Sequence, residues 1–427
     1  MILYYLFLLL SPFQDNPRLG AQLFSLGFVP ITPIKVIGLM LVVVAILAPR
    51  PKDAVKPLGS VVPFLFVAWV AYPLFWTVTL HGYAPQGSLS QFISFLGLLI
   101  ATRFLITTRD RLRNAVRVAV LAETIGTLWL FKQFFIQHWA RPIGPSSDPD
   151  YEALTLVMAL PLSAWIAFYD DHPRWRAFGK VAAGMIAFSV ILSQSRGGTL
   201  ALGVVALLGW LRSRHKARAI AGLALIAALL IAIAPGKALK RITDYGLSKG
   251  GDYGAKVSTQ ARLDLLKAGL GMIRAHPIVG VGMDRFKSVS QKYNPQLGTP
   301  YIAHDTYLQL AAEGGIPSLL IFLAILALAL RNFRFAEKMG KRADPALGQM
   351  GAAMRIALFG YMLATCFLTA QFIRMLWLCV FLSQSLREVA ATTLTETEPA
   401  KQSAEESLAQ RRAARSLRAV AWGGQRW

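Results

Sequence analysis

Charged residues are scarce in this sequence. Only 16% of its 427 residues are Asp, Glu, Lys or Arg, whereas 55% are hydrophobic. A soluble domain of this length carries about a quarter charged residues. Apolar runs of about 20 residues recur along most of the chain, the length a helix needs to cross about 30 Å of hydrocarbon. The alternating segments of about ten residues that build a transmembrane barrel are absent. The sequence therefore predicts an all-α fold, a polytopic bundle of transmembrane helices.

Cysteine is almost absent as well. The two that occur, Cys366 and Cys379, lie inside apolar runs, which is typical of small buried hydrophobes and not of a disulfide pair or metal ligands. The first residues, MILYYLFLLL, lack the basic flank and small-residue cleavage site of a signal peptide, so we expect a short first span there. No internal repeat is visible, which counts against a transporter built from two related halves.

The hydropathy pattern predicts about twelve spans. They lie near residues 2–14, 28–48, 58–80, 88–107, 112–137, 152–169, 178–193, 199–211, 219–235, 305–330, 350–369 and 371–386. We expect four parts in the chain: N-terminal transmembrane helices over 1–235, a periplasmic loop with amphipathic helices over 236–304, C-terminal transmembrane helices over 305–386 and a basic cytoplasmic tail over 387–427.

Connections rich in Lys and Arg alternate along the chain with connections that have few. This alternation predicts the orientation of the protein in the membrane. Twenty-six of them fall in one set of segments, namely 49–57, 108–117, 170–180, 211–218, 331–345 and 387–427. The opposite short connections hold only Arg18, Arg141 and Arg196. The positive-inside rule assigns the first set to the cytoplasm and predicts a multi-pass protein of the cytoplasmic (inner) membrane. Much of the +23 net charge then reflects topology, so no nucleic-acid partner is needed to explain it.

The long loop 236–303 is basic although it is expected outside, with eleven Lys and Arg against four Asp. Long loops are exempt from the positive-inside rule. Two interpretations stay open: a basic surface that faces an anionic substrate or lipid headgroups, and an ordinary solvated loop. The tail around 402–421 is expected to rest on the anionic inner leaflet or to be disordered.

Three polar segments stand out on the outward side. In the first, SQSRGG, Arg196 precedes two glycines at the expected start of a helix. Free N–H groups at a helix start suit phosphate, and the planar fork of Arg matches phosphate oxygens. The alternative is an interfacial Arg in a short hairpin, extended toward the headgroups.

The second polar segment covers residues 258–282. Leucine and isoleucine at helical spacing predict an amphipathic helix, whose polar face carries Arg262, Lys267 and Arg274. Arg262 could point into a cavity, whereas Lys267 and Arg274 are expected in solvent. His276, directly before Pro277, is expected to serve a turn.

The third segment, AHDTYLQLAAEGGIP, opens the tenth span. His304 precedes a helix start with Asp305 or Thr306 as the N-cap. The helix dipole disfavours a protonated imidazole there, so His304 could accept a proton near pH 7. Polar groups at membrane depth are costly, so the face of Asp305, Gln309 and Glu313 should meet protein or a wet cavity. The alternative is a lone interfacial His with structural polar contacts around it.

The order of these segments resembles the O-antigen ligase family. S-R-G-G at a hairpin is followed by an Arg on a helix that ends in HPIVGVG, and then by HDTYLQLAAEGGIP. The segment RPIGPSSDPDYEALTLVMALPL, from Arg141 onward, resembles the family's R-x-x-G…D-P-N stretch. The superfamily includes lipopolysaccharide O-antigen ligases, Wzy-type and exopolysaccharide polymerases and some protein O-oligosaccharyltransferases.

The resemblance implies a metal-independent, inverting glycosyltransferase of the membrane-embedded C class that needs no cofactor. Its donor would be a glycan on undecaprenyl pyrophosphate, and its acceptor lipid A-core, a growing glycan or a protein. Arg196 and Arg262 would bind the pyrophosphate and His304 would deprotonate the acceptor hydroxyl. The supporting residues would be Asp305, Tyr307, Glu313 and Arg141. Membrane lipids are the other expected partners.

The sequence departs from the family pattern at three positions. Asp305 replaces the Asn of H-N-x-Y, Ser318 replaces a later Gly and Asp150 replaces the Asn of D-P-N. An acid next to His304 is expected to raise the pKa of its imidazole, against the helix dipole.

Two other classes of function compete with the enzyme. A flippase or exporter of lipid-linked sugar would also carry outward arginines and broken helices, but alternating access favours sites at the midplane. An assembly scaffold would give His304 no role.

Overall fold

The computed structural model describes residues 1–13, 23–26, 29–52, 54–55, 59–139, 141–213, 216–217 and 253–395. Nearly all of them are helical. In chain order the helices are α1 (Ile2–Leu10), α2 (Pro33–Leu47), α3 (Val62–His81), α4 (Gln86–Leu105), α5 (Arg109–Phe131), α6 (Pro149–Tyr169), α7 (Pro173–Leu192), α8 (Arg196–Arg212), α9 (Tyr253–Ala275), α10 (Phe286–Tyr293), α11 (Thr306–Ala343), α12 (Pro345–Ala364) and α13 (374–395). One short antiparallel pair, β1 (Phe24–Leu26) with β2 (Val29–Ile31), precedes α2.

The predicted class is confirmed: the protein is a polytopic helical membrane protein. Six helices of the described ranges are long and apolar enough to cross a membrane, namely Val62–His81, Gln86–Leu105, Arg109–Ile136, Pro149–Tyr169, Pro173–Leu192 and Thr306–Gly340. Two shorter apolar helices are Ile2–Phe13 and Pro33–Leu47. The expected span at 219–235, the first part of the long loop and the basic tail lie outside the described residues.

The expected connection at 331–345 is mostly helical, because α11 continues through it to Ala343. Phe333 and Ala336 are completely buried, so an apolar stripe extends beyond the hydrophobic span and packs on α12. The two backbones approach so closely that a Cβ on Gly340 would lie 2.3 Å from the Gly348 nitrogen. The helix ends before Asp344, whose side chain caps α12.

An aromatic cluster joins the two ends of the chain in the core. Phe66 and Trp69 of α3 lie with their ring centroids 4.6 and 5.1 Å from that of Trp377 on α13. Phe322 of α11 lies 5.4 Å from Trp69. These rings are at most 2% exposed, and aromatic side chains contribute large apolar areas to a core. The cluster therefore fixes α3, α11 and α13 relative to one another.

Ion pairs between helix ends hold one end of the bundle. Arg117 of α5 donates two hydrogen bonds to Asp170, at the end of α6, over 2.8 and 2.5 Å. Arg103 of α4 pairs with Glu388 of α13. Arg117 belongs to the set that the charge pattern assigns to the cytoplasm, and Arg103 lies near the same end of the bundle, in the predicted span 88–107. Breaking a buried pair leaves one uncompensated charge, so each of them specifies which helix ends meet.

The polar segments of the sequence meet at the other end of the bundle. α6, α8 and α11 begin there, while α7 ends there. The turn between α7 and α8 spans only 193–195, so Arg196 lies at a helix start directly beside the end of its neighbour. α9 packs against α11 and α10, which brings the amphipathic helix to the same end.

Candidate functional site

Asp305 and Thr306 fix the start of α11. Asp305 is the N-cap, and one of its oxygens accepts hydrogen bonds from the N–H groups of Tyr307 and Leu308 over 2.8 and 2.9 Å. Thr306 donates its N–H to the Thr365 carbonyl and its hydroxyl to the Leu368 carbonyl. The expected cap is confirmed, and the segment after α12 holds the helix start in place.

His304 occupies a constrained position immediately before that cap. Its φ is 53°, in the left-handed region that costs a residue with a side chain of order 1–3 kcal/mol and occurs at functional sites. Its ring stacks on Tyr301, with centroids 5.0 Å apart and planes at 19°. Its Nδ1 is buried and has no hydrogen-bond partner among the residues described. The imidazole is thus held by its backbone and by stacking, and Nδ1 is not engaged by another side chain.

One arginine and two acids set the charge around His304. The pKa of His304 is lowered below its ordinary value, first by burial and then by the positive charge of Arg262. Asp150 and Asp148 act in the opposite direction. Asp305 is not one of these charges, because its carboxylate faces the N–H groups of α11 instead. The expectation that Asp305 raises the pKa of His304 is therefore wrong, and Asp148 and Asp150 take that role.

Three guanidinium groups converge beside the imidazole. The pKa of Arg262 is lowered by burial, raised by Asp150, and lowered again by the positive charges of Arg196 and Arg141. Arg262 lies on α9, Arg196 is the first residue of α8, and Arg141 belongs to the loop before α6. We call Arg141, Arg196 and Arg262 the arginine cluster. Residues far apart in sequence thus bring three positive charges within electrostatic range of one another, and one of them, Arg262, acts on His304.

Arg141 attaches the loop before α6 to the turn before α8. It donates one hydrogen bond to Asp150 over 2.9 Å and another to the Ser193 carbonyl over 3.2 Å. Asp150 follows the α6 cap, Asp148, which accepts the Asp150 N–H over 2.8 Å. The acid that replaces the family's Asn therefore pairs with the family's Arg.

The second glycine after Arg196 serves helix packing, so the expectation of free N–H groups at this helix start does not hold for Gly198. The N–H of Gly198 is bound by the side chain of Ser195, the N-cap of α8. A Cβ on Gly198 would lie 2.5 Å from the Cβ of Ala153 on α6. Glycine is needed here so that α8 can approach α6, and this approach puts Arg196 beside the α6 loop.

Tyr307 and Glu313 lie in structural contacts on α11. Tyr307 donates its hydroxyl to the Met362 carbonyl over 2.8 Å. Glu313 is buried and accepts hydrogen bonds from the Phe286 N–H and from Gln309 over 2.9 and 3.0 Å. Gln309 also accepts the N–H of Ala303 over 3.0 Å. Tyr307 therefore holds the backbone at Met362 and Glu313 holds it at Phe286, while Gln309 holds the backbone next to His304.

The HPIVGVG and EGGIP motifs interlock. Gly315 is non-helical at φ 74° and ψ 173°, so the kink frees two carbonyls of α11. Val281 and Gly282 donate their N–H groups to the Ala312 and Glu313 carbonyls over 2.8 and 3.0 Å, and Ile316 donates to the Pro277 carbonyl over 2.8 Å.

This interlock joins α9 to α11 by main-chain hydrogen bonds. The expected break at Gly314–Pro317 is confirmed. His276 bonds the Tyr293 hydroxyl over 2.9 Å and accepts the Gly280 N–H at its carbonyl, so it serves the turn, as expected. Lys267 and Arg274 are exposed.

A cavity of about 600 Å³ lies next to this site. Ile302, Gln309, Asp148 and Tyr151 contribute to its wall, so it borders the His304 loop on the side of α6. None of the three clustered arginines lines it. Two buried acids do, Glu123 of α5 and Glu152 of α6.

Sequence reasoning missed Glu123, Glu152 and Tyr301. Glu123 had a usable signal, since it is the one acid in a long apolar run between Val116 and Phe131, and acids inside spans are functional candidates by default. Tyr301 carries no such signal, because its stacking on His304 depends on the bend of the 301–305 segment. Across the described part of the chain, no group of three or more His, Cys, Asp or Glu residues is arranged to hold a metal ion.

Comparison with protein families places part of the chain in a known family. Residues 181–323 match the family described as O-antigen ligase, about a third of the chain. A comparison with curated proteins gives no match. The matched segment holds Arg196, Arg262, His304 and the kink at Gly315. The resemblance carried by the sequence motifs is therefore confirmed, and the family that this chain matches is that of the O-antigen ligases.

Proposed function

We propose that this protein transfers a glycan from undecaprenyl pyrophosphate to an acceptor hydroxyl at the periplasmic face of the inner membrane. Glycan transfer of the ligase type is what the O-antigen ligase family indicates. The lipid pyrophosphate donor, the periplasmic side and lipid A-core or a growing glycan as acceptor are our proposal. A glycan polymerase and a protein O-oligosaccharyltransferase use the same donor chemistry and differ in the acceptor.

One observation carries the proposal: Arg262, which lies within electrostatic range of Arg141 and Arg196, also acts on a His that has no hydrogen-bond partner at Nδ1 among the described residues. Guanidinium groups are suited to phosphate oxygens because their planar forks bind two oxygens at once. A pyrophosphate at the cluster would also relieve the repulsion among three positive charges. The cluster is at a single end of the bundle, which favours an enzyme over an alternating-access transporter.

The chemistry needs one base and a stabilised leaving group. His304 takes the proton from the acceptor hydroxyl while the oxygen attacks the anomeric carbon of the donor sugar. The bond between that carbon and the pyrophosphate oxygen breaks, and undecaprenyl pyrophosphate departs with the electron pair. Arg196 and Arg262 stabilise the negative charge that develops on it. Direct attack from the opposite face inverts the anomeric configuration.

The test uses purified protein with a lipid-linked donor and lipid A-core, in the presence of EDTA. A general base contributes about 10²–10⁴-fold, so His304→Ala should lower the transfer rate by that factor while donor binding stays unchanged. His276→Ala is the matched control, because His276 serves a turn at the same end of the molecule. Full activity of His304→Ala, or a requirement for metal, would refute the mechanism.

Deletion of the protein from its cell identifies the acceptor. Lipid A-core without polymer, together with accumulated lipid-linked glycan, is the result expected for a ligase. Single repeat units on lipid A-core would indicate a polymerase, and loss of glycans from proteins would indicate an oligosaccharyltransferase.

A further inference from the structure

The wall of the cavity beside His304 differs in composition from the arginine cluster. Four acids line it, Asp148 and Glu152 of the α6 region, Glu123 of α5 and Asp284 of the loop before α10, against the single guanidinium of Arg374. A wall in which carboxyl groups outnumber guanidinium groups offers few favourable partners to phosphates and other anions. The pyrophosphate of the donor therefore fits the cluster and not the cavity.

Glu152 and Glu123 have hydrogen-bond acceptor capacity that no described residue uses. The other two acids are engaged, because Asp284 is bound by the N–H and hydroxyl of Ser88 and Asp148 caps α6. Glu152 accepts the Ser146 N–H at Oε2, but its Oε1 is buried and has no partner among the described residues. Glu123, only 5% exposed, makes no hydrogen bond with any residue that the structure describes. Burying carboxyl oxygens in this way is costly unless a ligand donates hydrogen bonds to them.

The rest of the wall has the composition of a sugar site. Gln91, Gln309 and Gln371 contribute amides, and Tyr151 and Phe372 contribute aromatic rings. The Oε1 of Gln371 is buried and has no partner among the described residues. A sugar ring presents hydroxyl donors around its edge and apolar C–H groups on its faces, which match carboxyls, amides and aromatic rings. The volume is within the range of about 300–1,000 Å³ of small-ligand sites.

The position relative to His304 assigns the cavity to the acceptor. In an inverting displacement the nucleophile approaches the sugar from the face opposite the leaving group. With the leaving group at the arginines, the acceptor comes from elsewhere around His304. The cavity wall includes Ile302, two residues before His304, and Asp148, whose charge acts on the imidazole.

We propose that this cavity binds the acceptor as an uncharged sugar ring, and that Glu123 accepts hydrogen bonds from its hydroxyls and so selects for it. The proposal rests on the proposed function. It names a class of acceptor group, a neutral hydroxyl-rich sugar and not a phosphorylated or acidic one. It also separates the molecule into an arginine side for the donor and a carboxyl side for the acceptor.

The test measures KM for donor and acceptor separately with the purified full-length protein. Glu123→Ala should raise the acceptor KM by about 10- to 100-fold, the loss expected when a buried hydroxyl is left without its hydrogen-bond acceptor, and leave the donor KM unchanged. Glu123→Gln conserves the volume and should show a smaller rise, so it provides the result if the Ala variant does not fold. Thr127→Ala, one turn along α5, is the matched control, because Thr127 is buried but bonds only its own helix.

A second measurement tests the charge preference. Methyl glucoside should compete with the acceptor at least about tenfold better than methyl glucuronide, since one like-charge contact costs about that factor. Glu123→Ala should weaken the inhibition by methyl glucoside.

A rise in donor KM alone, or an unchanged acceptor KM in both Glu123 variants, overturns the proposal while wild-type transfer still supports the function. Absence of wild-type transfer to any acceptor overturns the proposed function itself. Equal competition by the two glycosides also contradicts a neutral-sugar site.

Discussion

At the scale of single residues, the site depends on side chains whose ordinary properties are changed by their neighbours. His304 combines a left-handed backbone, a stacked ring and an imidazole that burial and Arg262 keep neutral. A general base must be deprotonated at the working pH to accept a proton. The same positive charges that would hold the leaving group therefore also keep the base in its active form, because they lower the pKa of His304.

The first prediction concerns pH. Since the pKa of His304 is lowered from 6.5, transfer should rise with pH along a limb whose midpoint lies below 6.5. Asp150→Asn removes a charge that raises this pKa, so its midpoint should move to lower pH. Asp305→Asn should leave the midpoint in place, because Asp305 caps α11. The measurement is kcat/KM across pH for the three proteins, and a shift in Asp305→Asn with none in Asp150→Asn would contradict the assignment.

The second prediction concerns the arginines. Arg196→Ala and Arg262→Ala should each lower transfer by about 10²–10³-fold, the effect of removing one donor that stabilises developing charge. Lys should restore little activity, because it lacks the planar fork. Lys267→Ala on α9 is the control, since Lys267 is exposed and contacts only Asp264 among charged groups. Wild-type turnover in Arg196→Ala, in protein that is folded in the membrane, would remove Arg196 from the mechanism.

At the scale of elements, the interlock of α9 with the kinked α11 positions Arg262 relative to His304. The kink leaves carbonyls of α11 without their helical donors, and the loop after α9 supplies N–H groups to them. Tyr72 of α3 adds a hydrogen bond to the Ile278 carbonyl over 2.8 Å. These main-chain hydrogen bonds hold α9 against the membrane bundle. Substitutions of exposed side chains on α9 therefore need not disturb the site.

The third prediction tests this interlock. A Cβ at residue 315 would lie 1.9 Å from the Ile278 carbonyl oxygen, at a backbone conformation reserved for glycine. Gly315→Ala should therefore destabilise the protein by about 1–3 kcal/mol for the conformation and a further ~1–3 kcal/mol for overpacking. Thermal unfolding of the detergent-solubilised protein measures the effect. Gly203→Ala in α8, where a Cβ meets no atom within 4 Å, should be neutral or slightly stabilising; an equal loss in both variants would contradict the interlock.

The sequence predicted elements better than it predicted contacts. Runs of apolar residues locate helices because burial in a membrane demands them, and polar residues in such runs locate the His304 helix start and the kink. The pairing of HPIVGVG with EGGIP could not be predicted, since a backbone hydrogen bond leaves no trace in side-chain chemistry. The extension of α11 through 331–343 was missed because its five basic residues indicate a loop, although Phe333 and Ala336 carry a buried stripe.

At the scale of the whole molecule, charges are sorted between the two ends of the bundle. At one end arginines are neutralised by acids from other helices, as in Arg117 with Asp170 and Arg103 with Glu388. At the other end Asp150 pairs with Arg141 of the arginine cluster and acts on Arg262, and four further carboxyls line the adjacent cavity. The +23 net charge indicated the end with the neutralised arginines, because basic residues mark the connections that are expected in the cytoplasm. It gave no information on the arginine cluster and the cavity, which depend on helices that meet only after folding.

The last prediction concerns orientation. The charge pattern assigns the loop around residue 298 to the periplasm and the connection around residue 174 to the cytoplasm, and both positions are exposed. Cys366 is exposed, so the background variant is Cys366→Ser; Cys379 is buried and can remain. In cells with a permeabilised outer membrane, an impermeant maleimide should label Gly298→Cys and not Arg174→Cys, while both should react after the inner membrane is lysed. Labelling of residue 174 alone in intact inner membranes would show that the protein has the opposite orientation. The arginine cluster would then face the cytoplasm, and a periplasmic acceptor could not take part in the proposed reaction.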